Sequence, residues 1–455
     1  MRIRLALLAL VTGTAAVAAC STTASLPFGN PTGTTPAGSP SPIPSSGASP
    51  YPTTISGNVV LNSCFAASAS LFSVTLIGAG TLGTSLGGQL LLVMQVTDDT
   101  SPRATGDQSP VTAPAELGAA GTYSLVAVNT SITLDSDDVA NIQTTLGSTS
   151  YATTATKAAE ACIVPHFTSI TVQPGAQVRA APWDGVHGGV VAFVADTANI
   201  LGSVNADADG FPGGSPSNLT MGTEVCGVLD LDVPNPQDGG VKGSGSDGRG
   251  LSLHGAGNYL QGGGGGNSGS GGGGGGANGG KAGDGGSQGG SCTNVGGEFT
   301  QAHGGAAIGI APQTRLTFGG GGGGGHGGGS MGGTGGAGGG LIFVSANRLT
   351  GNGTITANGR DAIPHSAAGV GQGGGGAGGT IWIRDTATST FSGTIRANGG
   401  NGGSATDSTG SPGGGGGGGR LQISATPAST PAVSGGTAGT SGVGGSGAGD
   451  SGQSF

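Results

Sequence analysis

Runs of glycine alternate with short apolar segments in residues 319–425, and this alternation most constrains what the chain can fold into. The segments that follow the glycine runs start at Leu341, Thr380 and Arg420, which are 39 and 40 residues apart. A second motif, Gly-Thr-Ile-X-Ala-Asn-Gly, occurs at residues 353–359 and again at residues 393–399. A fixed period of this size is typical of repeat architectures. The apolar segments are rich in β-branched and aromatic residues, so we predict that they are strands.

The glycine runs allow two interpretations. Glycine loses more backbone entropy on ordering than any other residue, which favours flexible linkers. Residues 332–340, however, repeat Gly-Gly-X, which matches the three residues per turn of polyproline-II geometry. Because two of every three positions lack a side chain, such segments can pack backbone to backbone. We therefore favour polyglycine-II segments over disordered loops, and predict a mainly β chain that ends in a β-helix-like repeat or a sheet stack.

The N-terminus has the features of an export signal. Arg2 and Arg4 precede an apolar stretch too short to span a bilayer, and small residues stand immediately before Cys20. This pattern resembles the lipobox of bacterial lipoproteins, in which the cysteine is lipidated and becomes the new N-terminus. Ser21 follows it, as in lipoproteins sent to the outer membrane. The alternative is an ordinary secretory signal with Cys20 incidental.

Composition divides the rest of the chain. Residues 1–19 are the predicted signal peptide, and residues 20–52 are the lipidated Cys and a Pro/Ser/Thr-rich spacer. Residues 53–168 have ordinary alternation and predict a small β-rich domain, with short helices at 139–142 and 157–162. The remaining divisions are a first β repeat with acidic loops (169–238), a glycine-rich repeat domain (239–425) and a flexible tail (426–455).

Charge argues against nucleic acid as a partner. The net charge is −9, and residues 21–238 carry 16 acidic and 3 basic residues, while residues 239–455 carry 7 acidic and 9 basic. Neither part has the basic footprint that nucleic-acid binding needs.

The cysteines other than Cys20 are Cys64, Cys162, Cys226 and Cys292. An even number in an exported chain predicts two disulfides, although three pairings are open. We favour Cys64 with Cys162 and Cys226 with Cys292, because each pair brackets a region of distinct composition. Four free thiols are the alternative.

The sequence lacks a convincing catalytic motif. Residues 285–289 and 328–332 both match GxSxG, but without the flanking strand and helix that a nucleophile elbow requires. The six histidines are too dispersed for a local zinc site. We therefore predict a protein that is not an enzyme. The alternative is a carbohydrate-active enzyme or saccharide-binding protein on a parallel β-helix, in which Arg360-Asp361 and Arg384-Asp385 are the recurrent charged pairs.

Alternating carboxylates precede glycine-rich turns in the middle of the chain. Calcium requires six to eight oxygen ligands, which such clusters can supply. We favour solvated acidic loops, with a calcium site as the alternative and no other cofactor. The residues concerned are Asp207, Asp209, Asp230, Asp232 and Asp238.

Arginines recur in the repeat region at positions 348, 360, 384, 396 and 420. Arg384 and Arg396 lie within one repeat unit near Trp382, which predicts a shared face that binds saccharide or protein. The alternative is that these arginines solubilise the outer face of the strands.

The lipobox and the Gly-Gly-X runs together resemble the glycine-rich surface lipoproteins of bacteria. The runs are also similar to those of the mycobacterial PGRS class and of the polyglycine-II tips of phage adhesins. The resemblance implies a surface-exposed structural or adhesive protein of the cell envelope, held to the membrane by its lipid. Its implied partners are an envelope polysaccharide or a surface protein.

Overall fold

A computed structural model describes residues 51–70, 73–79, 89–128, 133–134, 139–143, 150–217, 232, 239–250, 253–267, 269–287, 301–327, 329–385, 389–424, 430–440, 442 and 444–455. This part of the chain is built from strands and glycine-rich segments, with two short 3-10 turns, Pro114–Leu117 and Gly248–Gly250. It contains no α-helix, and no helix of it is long and apolar enough to cross a bilayer. The prediction of a mainly β chain is confirmed.

The strands are numbered in chain order. They are β1 (Tyr51–Ile55), β2 (Asn58–Val60), β3 (Cys64–Ser70), β4 (Ser73–Ile77), β5 (Leu90–Thr97), β6 (Tyr123–Ala127), β7 (Thr133–Leu134), β8 (Val139–Gln143), β9 (Ala158–Val164), β10 (His166–Val172), β11 (Gln177–Arg179), β12 (Val190–Ile200), β13 (Ser203–Asn205), β14 (Leu341–Thr350), β15 (Thr354–Thr356), β16 (Thr380–Asp385), β17 (Thr394–Arg396), β18 (Arg420–Ile423) and β19 (Gln453–Ser454).

Two parallel sheets follow the repeat. Sheet A has the order β1-β10-β12-β14-β16-β18-β19, and sheet B has the order β17-β15-β13-β11-β2. A short strand of sheet B follows each of β1, β10, β12, β14 and β16 in sequence, and successive pairs stack in chain order. Strand β18 is instead followed by β19, which also belongs to sheet A. Leu341, Thr380 and Arg420 are aligned across β14, β16 and β18, so the period in the sequence is the register of the sheet.

Apolar side chains from the facing surfaces of sheets A and B form one core. Phe193, Ile342 and Ile381 of sheet A and Val204, Ile355 and Ile395 of sheet B belong to it. All six are at most 1 % exposed. Alternate residues along each strand point to opposite faces, which places every second apolar side chain in this core.

A third sheet, sheet C, is antiparallel and has the order β6-β5-β9-β3-β4-β8-β7. One of its faces packs against the outer face of sheet A through a core that includes Met94, Val164, Phe343 and Trp382. Strands β1 and β2 precede sheet C in sequence but belong to the parallel sheets. The predicted helices at 139–142 and 157–162 are wrong, because β8 and β9 occupy these positions and pair with neighbouring strands.

The glycine runs make a regular pattern of backbone hydrogen bonds. In residues 319–326, N–H groups that are three residues apart donate to the same neighbouring segment. The donors therefore fall into three sets, and each set reaches a different segment. Those acceptor segments are residues 333–339, 271–277 and 241–244, at N–O distances of 2.8 to 3.0 Å. The segment 319–326 is antiparallel to these three partners, because the donor number rises as the acceptor number falls.

The carbonyl groups of residues 319–326 complete the pattern. They accept from three further segments: residues 211–217, 263–266 and 371–377, again at intervals of three. The segment 319–326 is therefore surrounded by six neighbours, to three of which it donates and from three of which it accepts. This arrangement satisfies backbone polar groups that are buried without belonging to a sheet or helix.

Candidate binding face

A continuous polar surface forms where strands of sheet B pass into glycine runs. Along β17, Thr394 and Arg396 are partly or fully exposed while Ile395 is buried, as the two-residue period of a strand requires. After Asn398 the period becomes three: Asn401 and Ser404 are exposed, while Gly400 and Gly403, which immediately precede them, are buried. The spacing of exposed side chains therefore changes from two residues in the strand to three residues in the glycine run, as the backbone geometry changes.

The next segment along the stack repeats this pattern. Ser434, Thr437 and Thr440 are exposed, and Gly436 and Gly439 are buried. The N–H groups of Gly399, Gly402 and Ala405 donate to the carbonyl groups of Ser434, Thr437 and Thr440, respectively, at 2.9 to 3.0 Å. The two rows of exposed polar side chains are thus held in register by backbone hydrogen bonds.

Side-chain oxygens also link the rows. Asn358 N donates to Asp207 Oδ1, Asn398 N donates to Asn358 Oδ1, and Ser434 N donates to Asn398 Oδ1, at 2.5, 2.9 and 2.9 Å. This ladder fixes the rotamers of the acceptor side chains, because each one satisfies a backbone N–H of the next row.

A second ladder lies three residues further along each row. Asn401 N donates to Asp361 Oδ1 at 2.6 Å, and Thr437 N donates to Asn401 Oδ1 at 2.9 Å. The amide oxygens of the asparagines are used within the protein. Among the described residues, no hydrogen bond uses the Nδ2 groups of Asn358, Asn398 or Asn401, so these donors are available to a ligand.

Two of the predicted binding-face residues lie elsewhere. Trp382 and Arg384 are on β16 in sheet A, whereas Arg396 is on β17 in sheet B. Trp382 is 8 % exposed and packs against Phe343, with ring centroids 5.0 Å apart. The Arg384 guanidinium lies 5.7 Å from the centre of the Trp382 ring, at the edge of the core between sheets A and C. The structure does not place Arg384 and Arg396 on one sheet.

The acidic residues are in different settings. Asp207 belongs to the first ladder, and Asp209 is buried two residues later, where burial raises the pKa of its carboxyl to about 7. Asp232 accepts from Tyr259 Oη at 2.5 Å and pairs with Lys242 Nζ at 3.2 Å. Asp230 and Asp238 lie outside the described residues. Among those described, Asp207, Asp209 and Asp232 form no cluster of potential metal ligands.

Of the residues that the structure describes, Cys64, Glu160 and Cys162 are the group whose ligand atoms converge, with all of them within 4.8 Å of one another. The two sulfurs are joined in a disulfide, so neither offers a thiolate to a metal. The predicted pairing of Cys64 with Cys162 is confirmed. Cys226 and Cys292 lie outside the described residues.

Sequence reasoning missed two buried cations. Arg420, which the sequence grouped with the arginines of either a binding face or a solvated outer face, is fully buried, and burial lowers its pKa to about 9. Its guanidinium donates to Ile310 O at 2.6 Å and to Thr317 Oγ1 at 2.7 Å. The available signal was its position, because Arg420 aligns with Thr380 and Leu341, which are both buried.

Lys242 is the second buried cation. It is 1 % exposed, and burial lowers its pKa to about 8. Its ammonium donates to Gly257 O at 2.5 Å and to Gly255 O at 3.2 Å, besides its pairing with Asp232. The Lys242 ammonium thus joins two glycine-rich segments. The sequence around Lys242 consists largely of glycine, and this composition did not predict that the side chain is buried.

No family model matches this sequence, and neither a curated protein nor a solved structure matches it significantly.

Proposed function

We propose that this chain is a non-enzymatic, structural or adhesive protein of the bacterial cell surface, anchored through a lipid on Cys20. Its stacked strand pairs form a β-helical solenoid, and its glycine runs form a polyglycine-II lattice. Together they hold the polar face, defined as the exposed side chains of sheet B and of rows 358–361, 398–404 and 434–440, in a fixed array that binds an envelope polysaccharide.

The observation that carries this proposal is the hydrogen-bond pattern of residues 319–326, with six neighbouring segments and a period of three. Three residues per turn is the period of the polyproline-II helix, which has no internal hydrogen bonds and must find partners outside itself. A backbone tied to six neighbours is a rigid scaffold, and a scaffold that is rigid over many residues suits a structural or adhesive role.

The proposed ligand follows from the regularity of the polar face. Neighbouring strands of a sheet lie about 4.8 Å apart. Exposed residues three apart in a polyproline-II segment repeat at about 9 Å, from a rise of 3.1 Å per residue. A polymer with a regular repeat can meet several donors of this array at once, whereas a small ligand meets only one or two. Many weak contacts on one polymer add up through effective concentration.

Co-sedimentation of the mature protein with purified, insoluble envelope polysaccharides tests the proposal. Arg396→Ala removes an exposed cation from the polar face, and Arg348→Ala is the matched control, because Arg348 is exposed on β14 of sheet A. We expect Arg396→Ala to weaken binding by about twofold to twelvefold, because the loss of one polar contact costs about 0.5–1.5 kcal/mol. The control should bind as the wild type does.

Two outcomes count against this function. The first is that the folded protein binds none of the polymers. The second is that Arg348→Ala weakens binding as much as Arg396→Ala does, since this would place the contact outside the polar face.

A further inference from the structure

Glu160 is a buried carboxyl group that the proposed function does not use. It lies on β9, two residues before Cys162, and it is 0 % exposed. Its Oε2 accepts from Gly188 N at 2.8 Å, whereas its Oε1 has no hydrogen-bond partner. Buried polar atoms are nearly always paired, so an unpaired carboxyl oxygen in a protein core needs a reason.

The Glu160 carboxyl group lies beside the disulfide. Cys64 and Cys162 are directly opposite each other on the antiparallel strands β3 and β9, with their Cα atoms 4.0 Å apart. A carboxylate oxygen of Glu160 and both sulfur atoms lie within 4.8 Å of one another. Cys64 is partly exposed, whereas Cys162 is fully buried. An incoming reagent can therefore approach the Cys64 sulfur more readily than the Cys162 sulfur.

The surroundings of Glu160 favour its protonated form. Burial raises the pKa of the Glu160 carboxyl well above its usual range, and the nearby charge of Asp184 raises it further, against the opposing effect of the Gly188 N–H. Among the described residues, Asp184 is the charged group that acts on Glu160, and the two cysteines are the other ionisable side chains at this place when they are reduced. A neutral carboxylic acid can donate its remaining proton to a neighbouring base.

We propose that the Cys64–Cys162 disulfide is an exchangeable redox site that reacts with dithiols, and that Glu160 is the proton donor to its leaving sulfur. A thiolate of the dithiol attacks the Cys64 sulfur, and the bond between Cys64 and Cys162 breaks. The electron pair of that bond leaves on the Cys162 sulfur, which takes the proton of Glu160. The second thiol of the reagent then attacks the mixed disulfide. Cys64 leaves as a thiol, and the two sulfurs of the dithiol reagent become joined in a disulfide.

The departing Cys162 sulfur needs a proton donor because it is buried. Exchange is faster when the leaving sulfur is stabilised, and a thiolate at Cys162 would be buried without water to solvate it. Proton transfer from Glu160 removes that negative charge from the sulfur as it forms. A disulfide that served only as an inert cross-link would gain nothing from a carboxyl group at this position.

Reduction of the folded, full-length mature protein by dithiothreitol tests the inference, with thiols trapped by maleimide and counted by mass. Rates are divided by the thiolate concentration of the reagent between about pH 6 and pH 9, a range that spans the ordinary thiol pKa of about 8.5. We expect Glu160→Gln to slow reduction at least tenfold, the lower end of what a positioned acid contributes being about a hundredfold. The wild-type rate should fall at the pH where Glu160 loses its proton, and the variant should lack this step.

Three results would overturn the proposal. One is equal rates for wild type and Glu160→Gln. Another is a rate that does not depend on reagent concentration, which would mean that reduction waits for unfolding. The last is a trapped mixed disulfide that maps to Cys162 and not to Cys64. If Glu160→Gln does not fold, the pH profile, the reagent dependence and the mapping on the wild type still decide the question. None of these measurements depends on binding to a polysaccharide.

Discussion

Gly324 lies so close to Ser215 that a methyl group on its Cα would stand 2.1 Å from the Ser215 carbonyl oxygen. Its N–H donates to Val241 O at 2.9 Å, and its own carbonyl accepts from Gly266 N at 2.7 Å. The atom in the way is backbone, which no rotamer change can move. Two residues on distant segments thus explain why the runs consist of glycine: the segments approach one another more closely than any side chain allows.

Gly324→Ala should destabilise the protein by about 3 kcal/mol or more, at or above the upper end of ordinary overpacking, because a whole segment must shift. Gly57→Ala is the matched control, since a Cβ at Gly57 meets nothing within 4 Å. We expect the control to change the free energy of unfolding by less than about 1 kcal/mol, and to increase it if the unfolded chain loses entropy. Urea unfolding of the two variants measures the difference. Equal stabilities would mean that the runs are loosely packed.

The buried carboxyl of Asp209 should make the free energy of unfolding fall as pH rises from about 4 to about 7. Its folded pKa is about 7, against an ordinary value of 3.8, because burial disfavours the charged form. The folded state therefore holds this proton between about pH 4 and pH 7 while the unfolded state releases it, so the stabilisation is complete below about pH 4 and is lost as pH rises through about 7. The shift of about 3 pKa units corresponds to at most about 4 kcal/mol.

Asp209→Asn should flatten this part of the pH profile of the free energy of unfolding, and the variant should be more stable than the wild type above pH 7. Asp196→Asn is the control, because Asp196 is exposed on β12. It should keep the wild-type profile. Identical profiles for the wild type and Asp209→Asn would refute the raised pKa.

Arg420→Lys should destabilise the protein by at least about 3 kcal/mol, because one ammonium cannot reach the separate acceptors that the guanidinium serves. Those acceptors include Asn278 Oδ1, Ile310 O and Thr317 Oγ1. The same substitution at exposed Arg348 should cost less than about 0.5 kcal/mol. Thermal unfolding compares the two, and a similar midpoint for both would contradict the buried network.

Cys20→Ala should abolish membrane association. We expect the wild-type mature protein to enter the detergent phase and the variant to stay in the aqueous phase, because several acyl chains on one cysteine give stable anchoring. Intact mass of the wild type should show a lipidated N-terminal cysteine. An unmodified N-terminus near residue 20 would indicate a secreted protein.

Local errors in the sequence prediction have a common cause. Residues 157–162 contain several alanines, which favours a helix, yet β9 pairs with both β3 and β5 and is buried along its whole length. Helix propensities differ by less than about 1 kcal/mol per residue between ordinary residues, and burial on two faces outweighs them. Where a segment could form either a helix or a strand, the elements that pack against it determine which of the two it forms.

The sequence by itself determined the repeat and the strands that carry it, and it favoured the Cys64–Cys162 disulfide among three open pairings. The repeat and its strands can be read from the sequence because each strand is a short continuous apolar segment. A period in the chain becomes the register of a sheet when similar units stack. The alignment of Leu341, Thr380 and Arg420 is the clearest case.

Only the tertiary structure decided which segments the glycine runs contact and which charges are buried among them. Glycine has no side chain, so residues 319–325 carry no information about whether their partners are residues 271–277 or any other run of the same composition. The backbone hydrogen bonds select partners through the geometry of the whole stack. Arg420 is buried because segments far from it in the chain supply its hydrogen-bond acceptors, which include Asn278, Ile310 and Thr317. Lys242 is buried against carbonyl groups of the nearby glycine-rich segment, Gly255 and Gly257.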